Sequence, residues 1–238
     1  MTKMEQLPFD LGSRYAHERE DFWISDSNRA AVAWLDKLAG AKASGTNLGC
    51  EESDINRYPA LVIFGPPASG KTHLLQVWKK EAKAIELSLA QLMPDTIDQT
   101  VGSAKEVMID NVSSAIGKRS SEETLFHLYN ILQERGGTLL MTASMPVAAW
   151  PFVLADLKSR LMAAPAVEVG SPDDALMAVV LAKLFSDRQI FVPQEVVQFI
   201  LSRIERSFLA MRQTVEKIDR RALSEKRPVT IPLVRELL

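Results

Sequence analysis

A chain of 238 residues, 47% hydrophobic and 24% charged, has the composition of a globular protein with one large or two small domains, able to bury a core without staples. A net charge of −2 excludes a protein that wraps nucleic acid by its overall charge, so any DNA contact has to be local or borrowed from a partner. The single cysteine, Cys50, excludes an internal disulfide and fits a reducing compartment, and the N-terminus MTKMEQLPFDLG has no apolar run of signal-peptide length. The most apolar later stretch, Met145 to Leu157, is broken by Pro146, Pro151 and Asp156 and falls short of the roughly 18 residues of a membrane span. A cytoplasmic protein without membrane contact is expected.

In chain order, Gln6-Leu7-Pro8-Phe9-Asp10-Leu11 precedes any periodic segment and reads by composition as part of a mobile arm over residues 1–21. Phe22-Trp23-Ile24 reads as a short strand-like lead into an amphipathic helix, Asn28 to Leu38, with Ala31, Trp34, Leu35 and Leu38 on one face. Ala39 to Arg57, rich in Gly, Ser and Asn, reads as a surface loop. Strands are expected at Leu61 to Phe64, Ala84 to Leu87, Glu106 to Ile109, Thr138 to Thr142 and Ala166 to Val169. Helices Thr72 to Glu81 and Glu122 to Arg135 lie between them. Alternating β and α argues for an α/β domain with a parallel sheet covered on both faces, here residues 22–170. From Ser171-Pro172-Asp173-Asp174 onward the strand signal fades. Helices at Asp173 to Arg188, Gln194 to Arg203, Ser207 to Leu223 and Pro232 to Leu238 form a small helical domain, residues 171–238.

The stretch LVIFGPPASGKTH, Leu61 to His73, carries the strongest chemistry. Gly65, Pro66, Pro67, Ala68, Ser69, Gly70, Lys71 and Thr72 match G-x-x-x-x-G-K-[ST], the phosphate-binding P-loop, with an apolar strand before it and helical spacing from His73 after it. Glycines let backbone N–H groups curl around phosphate oxygens, the helix N-terminus adds positive potential, Lys71 reaches the terminal phosphates and Thr72 holds Mg²⁺. A nucleoside di- or triphosphate is the expected ligand. KEVMIDN, Lys105 to Asn111, is an apolar strand ending in an acid; in P-loop proteins it is expected beside the P-loop strand, with Asp110 completing the Mg²⁺ shell. Asn111 next to it is a neutral amide that cannot take up a proton from water. Thr142 or Ser144, closing a later strand, could bond a γ-phosphate or serve only as turn formers. Arg160, in LKSRL, reads either as a solvated arginine or as a phosphate-directed one, and Arg206 opens a lid helix where it could point at phosphates. Arg220, Arg221, Lys226 and Arg227 read as a solvated helix end rather than a DNA contact.

Taken together, FWI with Ser27-Asn28, GPPASGKTH, VMIDN, TASMP, LKSRL, ERSFLAMRQTVEKID and RPVTIPLVRELL resemble, in this order and over nearly the whole chain, the AAA+ part of the bacterial replication initiator DnaA. The resemblance is closer to the shorter Hda family, the regulatory inactivators of DnaA. Asn111, the terminal peptide and the end of the chain at Leu238, where DnaA continues into a helix-turn-helix domain, all favour that family. Gln6, Leu7, Phe9 and Leu11 resemble the sliding-clamp-binding peptide of bacterial replication proteins, a polar rim contact followed by apolar anchors.

The resemblance implies an AAA+ domain with a five-stranded parallel sheet and an all-helical lid, binding ADP or ATP with Mg²⁺. Trp23 and Ile24 would border the adenine, Gly65 to His73 with Arg206 would hold the phosphates, and Thr72 and Asp110 the metal. Arg160 would be an arginine finger offered in trans. DnaA and the DNA polymerase sliding clamp are the implied partners, with DNA reached through the clamp and homo-oligomers possible. Ser144 stands where DnaA tends to have aspartate, and Asp156 replaces a basic residue before the finger. Both departures point to weak intrinsic hydrolysis. A DnaA-like or helicase-loader-like ATPase acting on its own ATP, and a clamp adaptor with structural nucleotide, are the competing functions.

Overall fold

The structure, a computed structural model, describes residues 23–38 and 59–238. The expected clamp-binding residues Gln6, Leu7, Phe9 and Leu11, as well as Phe22, Cys50 and residues 39–57, expected as a surface loop, lie outside the described residues.

Parallel strands β1 (Ala60–Phe64), β2 (Ile85–Leu87), β3 (Glu106–Ile109), β4 (Thr138–Ala143) and β5 (Ala166–Glu168) form one sheet in the order β2-β3-β4-β1-β5. Helices α1 (Arg29–Leu38), α2 (Lys71–Ala82), α3 (Ile97–Val101), α4 (Arg119–Arg135) and α5 (Ala155–Ala163) surround it. Then follow α6 (Asp174–Ser186), α7 (Gln194–Leu201), α8 (Phe208–Glu225) and α9 (Ile231–Arg235), with no strand among residues 171–238.

The period-two geometry of a strand explains why these apolar runs build a two-faced core. Val62, Val107, Ile109, Leu139 and Met141 face one way, against α3, α4 and α5; Leu61, Ile63, Met108 and Leu140 face the other, against α1 and α2. The fully buried Trp78 anchors α2 on that second face. A third cluster, from Met177 to Val234, belongs to α6 to α9 and the segments joining them.

Two expectations are corrected. No strand forms at Trp23-Ile24: the Asn28 side chain donates to Trp23 O and accepts from Ser25 N, both at 3.0 Å, folding this segment into a turn ahead of α1. Nor does the strand that ends at Asp110 lie beside the P-loop strand, because β4 separates β3 from β1.

The edge of the core contains a carboxyl that titrates against the fold. Half-buried Glu106 opens β3 opposite Thr138; burial raises its pKa, opposed by a Thr138 hydrogen bond and the Lys105 charge. The protonated form is therefore favoured more in the folded than in the unfolded state, and that contribution fades as pH rises through the elevated folded pKa. Glu106→Gln, which stays neutral, should raise Tm relative to wild type at pH 7.5 and leave it nearly unchanged near pH 4, below the ordinary glutamate pKa of about 4.3. A variant less stable than wild type at pH 7.5 would contradict this.

Candidate functional site

The loop after β1 opens at a residue whose backbone leaves no room for a side chain. Gly65 has φ of 155°, and a Cβ there would lie 2.1 Å from the carbonyl oxygen of Val169. Ala68 (φ 57°) and Gly70 (φ 98°) are left-handed, which curls the loop before α2 begins at Lys71. Ser69 is buried within it. The Lys71 ammonium donates to Gly65 O at 2.9 Å, Pro66 O at 2.7 Å and Ser69 Oγ at 3.3 Å. Burial lowers its pKa from the usual lysine value, while the Asp110 carboxylate works in the opposite direction. His73 sits in the first turn of α2, partly buried.

Thr72, exposed one residue on, donates to Asp110 Oδ2 at 2.8 Å. The other oxygen of Asp110 accepts from the Thr142 hydroxyl, which in turn accepts from Asn111 N at 2.8 Å. The intervening strand β4 thus has a purpose at the site: Thr142, buried, bridges the end of β3 and fixes Asp110 with one oxygen turned to Thr72. That bond occupies the Thr142 hydroxyl, whereas Ser144 is exposed beyond the strand.

A hydroxyl and a carboxylate oxygen side by side at the P-loop are the hard oxygen donors that Mg²⁺ takes from a protein, the rest of its shell coming from phosphate and water. Thr72 and Asp110 therefore fit the implied ion, and among the described residues no group of three or more acidic, His or Cys side chains offers an alternative cage. Asn111 stands left-handed (φ 53°), its amide donating to Ser114 Oγ at 2.9 Å and accepting from Ser113 Oγ at 3.4 Å. That amide is spent on its own turn.

Two further segments reach this end of the sheet. Gly170 N donates to Ser27 O at 2.9 Å, which sets the Trp23 to Ser27 turn beside the residues that follow β5, where the Val169 carbonyl abuts Gly65. Trp23 and Ile24 are both about half exposed there (51% and 56%), apolar surface of the kind a base could cover. From the helical part, Phe208 N donates to Ala68 O at 3.3 Å and the Phe208 ring packs where a Gly70 side chain would be, 3.0 Å from an ideal Cβ. Ser207 caps α8 through Ala210 N at 3.1 Å. Arg206, just before that cap, pairs with Asp174 at 3.0 Å; both side chains are largely exposed, and such a pair contributes only about 0.2–1 kcal/mol, so it opens readily.

Arg160 lies elsewhere. It projects from the last turns of α5 into a groove also lined by Phe126, Tyr129, Gln133, Asp156 and Ser159, with its guanidinium 5.9 Å from the centre of the Tyr129 ring. None of the P-loop residues lines that groove. Sequence reasoning passed over Phe208, whose place on the loop is set by the fold, and Glu122, which is fully buried although charged. A glutamate in the first turn of a helix looks like an ordinary dipole partner, and no local pattern marks it.

Residues 174–238 match the family model of the Hda lid domain. An uncharacterised protein of Haemophilus influenzae is 28% identical over 194 residues, 78% of this chain and 84% of its own length. The crystal structure of domain III of the Thermotoga maritima replication initiation protein DnaA superposes with a TM-score of 0.77 at 19% identity, covering 98% of both chains. AMPPCP-bound DnaA from Aquifex aeolicus gives 0.68 at 20% identity over 90% of this chain and 68% of that one. No helix among the described residues is long and apolar enough to cross a membrane. The five-stranded parallel sheet thus has the fold of DnaA domain III, and the helical part that continues it, residues 174–238, matches the Hda lid family.

Proposed function

We propose that this chain regulates replication initiation by binding adenine nucleotide with Mg²⁺, docking on the DNA polymerase sliding clamp through Gln6, Leu7, Phe9 and Leu11, and stimulating hydrolysis of ATP held by DnaA. The reaction is phosphoryl transfer to water: a water oxygen bonds to the γ-phosphorus, the bond to the bridging oxygen of ADP breaks, and inorganic phosphate and a proton are released. Arg160 is the group supplied in trans. The lid match and the DnaA-like fold support the setting. The single observation that carries the reading is the division of the machinery between two places. Next to Asp110, at the P-loop with Lys71 and Thr72, stands the amide of Asn111, occupied by Ser113 and Ser114, while Arg160 stands in a groove that shares no residue with that loop. The chain's own site suits holding a nucleotide; its exposed guanidinium suits another subunit's.

The test is single-turnover hydrolysis of DnaA-bound ATP with clamp loaded on DNA. Wild type should accelerate it, and only with clamp present. Gln6→Ala with Leu7→Ala should remove clamp co-elution and stimulation while leaving Tm and nucleotide binding as in wild type. Contact energy is modest here, since a segment ordered on binding loses roughly 2–5 kcal/mol to that ordering. Co-elution of the double variant with clamp would make residues 6–11 a bare tail. Vigorous ATP turnover by the isolated protein would favour a DnaA-like or loader-like ATPase.

A further inference from the structure

Glu122 is a buried carboxylate whose hydrogen bonds all come from backbone N–H groups. Oε1 accepts from Gly117 N at 2.7 Å, both oxygens accept from Val153 N at 3.0 Å, and Oε2 accepts from Leu154 N at 2.6 Å. An ionised carboxylate out of water is retained only where donors converge on it, and these do. Their origin matters more than their number. Val153 and Leu154 are the two residues before α5, and Leu154, its N-cap, has an apolar side chain that cannot cap. Glu122 therefore caps α5 from a neighbouring helix, placing negative charge at the positive end of its dipole.

Seven residues further along α4, two turns on the same face, Tyr129 puts its buried ring beside the Arg160 guanidinium at the other end of α5. One helix thus grips the other at both ends. The carboxylate sets where α5 starts, and the ring limits where its arginine can point.

Resting on the trans role of Arg160 proposed above, we infer that Glu122 and Tyr129 are positioning residues for the arginine finger. A guanidinium on a long side chain samples many rotamers, and a transition state is stabilised only by donors already in place. Preorganisation by α4 removes that search.

The experiment measures single-turnover hydrolysis of DnaA-bound ATP, with clamp loaded on DNA, across a concentration series of the full-length protein. Glu122→Gln keeps the shape but turns an amide N–H₂ toward donors, and Tyr129→Leu removes the ring. Each should lower the maximal rate about 10- to 10²-fold, the scale of a displacement of about 1 Å in a catalytic group, with the half-saturating concentration unchanged. Tyr129→Phe should retain the wild-type rate. Glu122→Gln combined with Arg160→Ala should be no slower than Arg160→Ala alone, because the carboxylate acts through the arginine. Full maximal rates for Glu122→Gln and Tyr129→Leu, beside a defective Arg160→Ala, would overturn the positioning role and leave the trans role intact. A double variant slower than Arg160→Ala by the factor seen for Glu122→Gln would overturn it too, as a general structural effect. An undiminished Arg160→Ala would sink the trans role itself. If Glu122→Gln fails to melt cooperatively, the contrast between Tyr129→Leu and Tyr129→Phe decides.

Discussion

Arg160→Ala should abolish most of the stimulation of DnaA-bound ATP hydrolysis, a loss of about 10³–10⁵ in rate if the finger contributes here what it does in other nucleotide hydrolases. Charge builds on the γ-phosphoryl oxygens as the bond to ADP loosens, and a planar cation with several donors meets it better than a point charge. The fold should survive the change. α5 is held by buried Leu157 and Leu161, while the Arg160 side chain lies exposed in its groove. Thermal stability, nucleotide affinity and clamp binding should accordingly match wild type. Arg160→Lys should restore little, since an ammonium lacks the fork and does not stack as a guanidinium does on the Tyr129 ring. Wild-type stimulation by Arg160→Ala would reduce the chain to an adaptor and move the catalytic groups to the initiator.

Lys71→Ala should remove nucleotide binding at ordinary concentrations. In the structure the ammonium sits within hydrogen-bond reach of three loop oxygens, so it is held where phosphates would enter the curled backbone of residues 65–70. Two hydrogen bonds from a cation to phosphate, at about 1.5–3 kcal/mol each, correspond to at least 10²-fold in Kd. The measurement is the Tm rise with added Mg-ADP. Wild type should show a shift that grows with ligand concentration, and Lys71→Ala none over the same range. An equal shift in both proteins would place the nucleotide outside the P-loop. The same titration repeated without Mg²⁺ tests Thr72 and Asp110: a metal-dependent shift in wild type should be lost in Asp110→Asn.

The P-loop, the strand runs and the lid helices were legible in the sequence because each depends on neighbours a few residues apart. Glycine spacing sets the curl at Gly65 and Gly70, and apolar runs buried on both faces mark β1, β3 and β4. The roles expected of Arg160 and Arg206 came from the family resemblance and not from spacing. Tertiary structure alone decided the rest. Inserting β4 between β1 and β3 is a choice of sheet order, invisible to local periodicity, and it is what lets Thr142 grip Asp110 across a sequence separation of 32 residues. Trp23-Ile24 turned instead of pairing because Asn28 satisfies the backbone locally. Glu122 reads as a surface glutamate until folding brings Val153 and Leu154, 31 and 32 residues on, over its carboxylate. Local propensity acts over one or two turns; burying a charge, seating Phe208 on the P-loop and ordering a sheet require contacts that exist only once the chain has closed on itself.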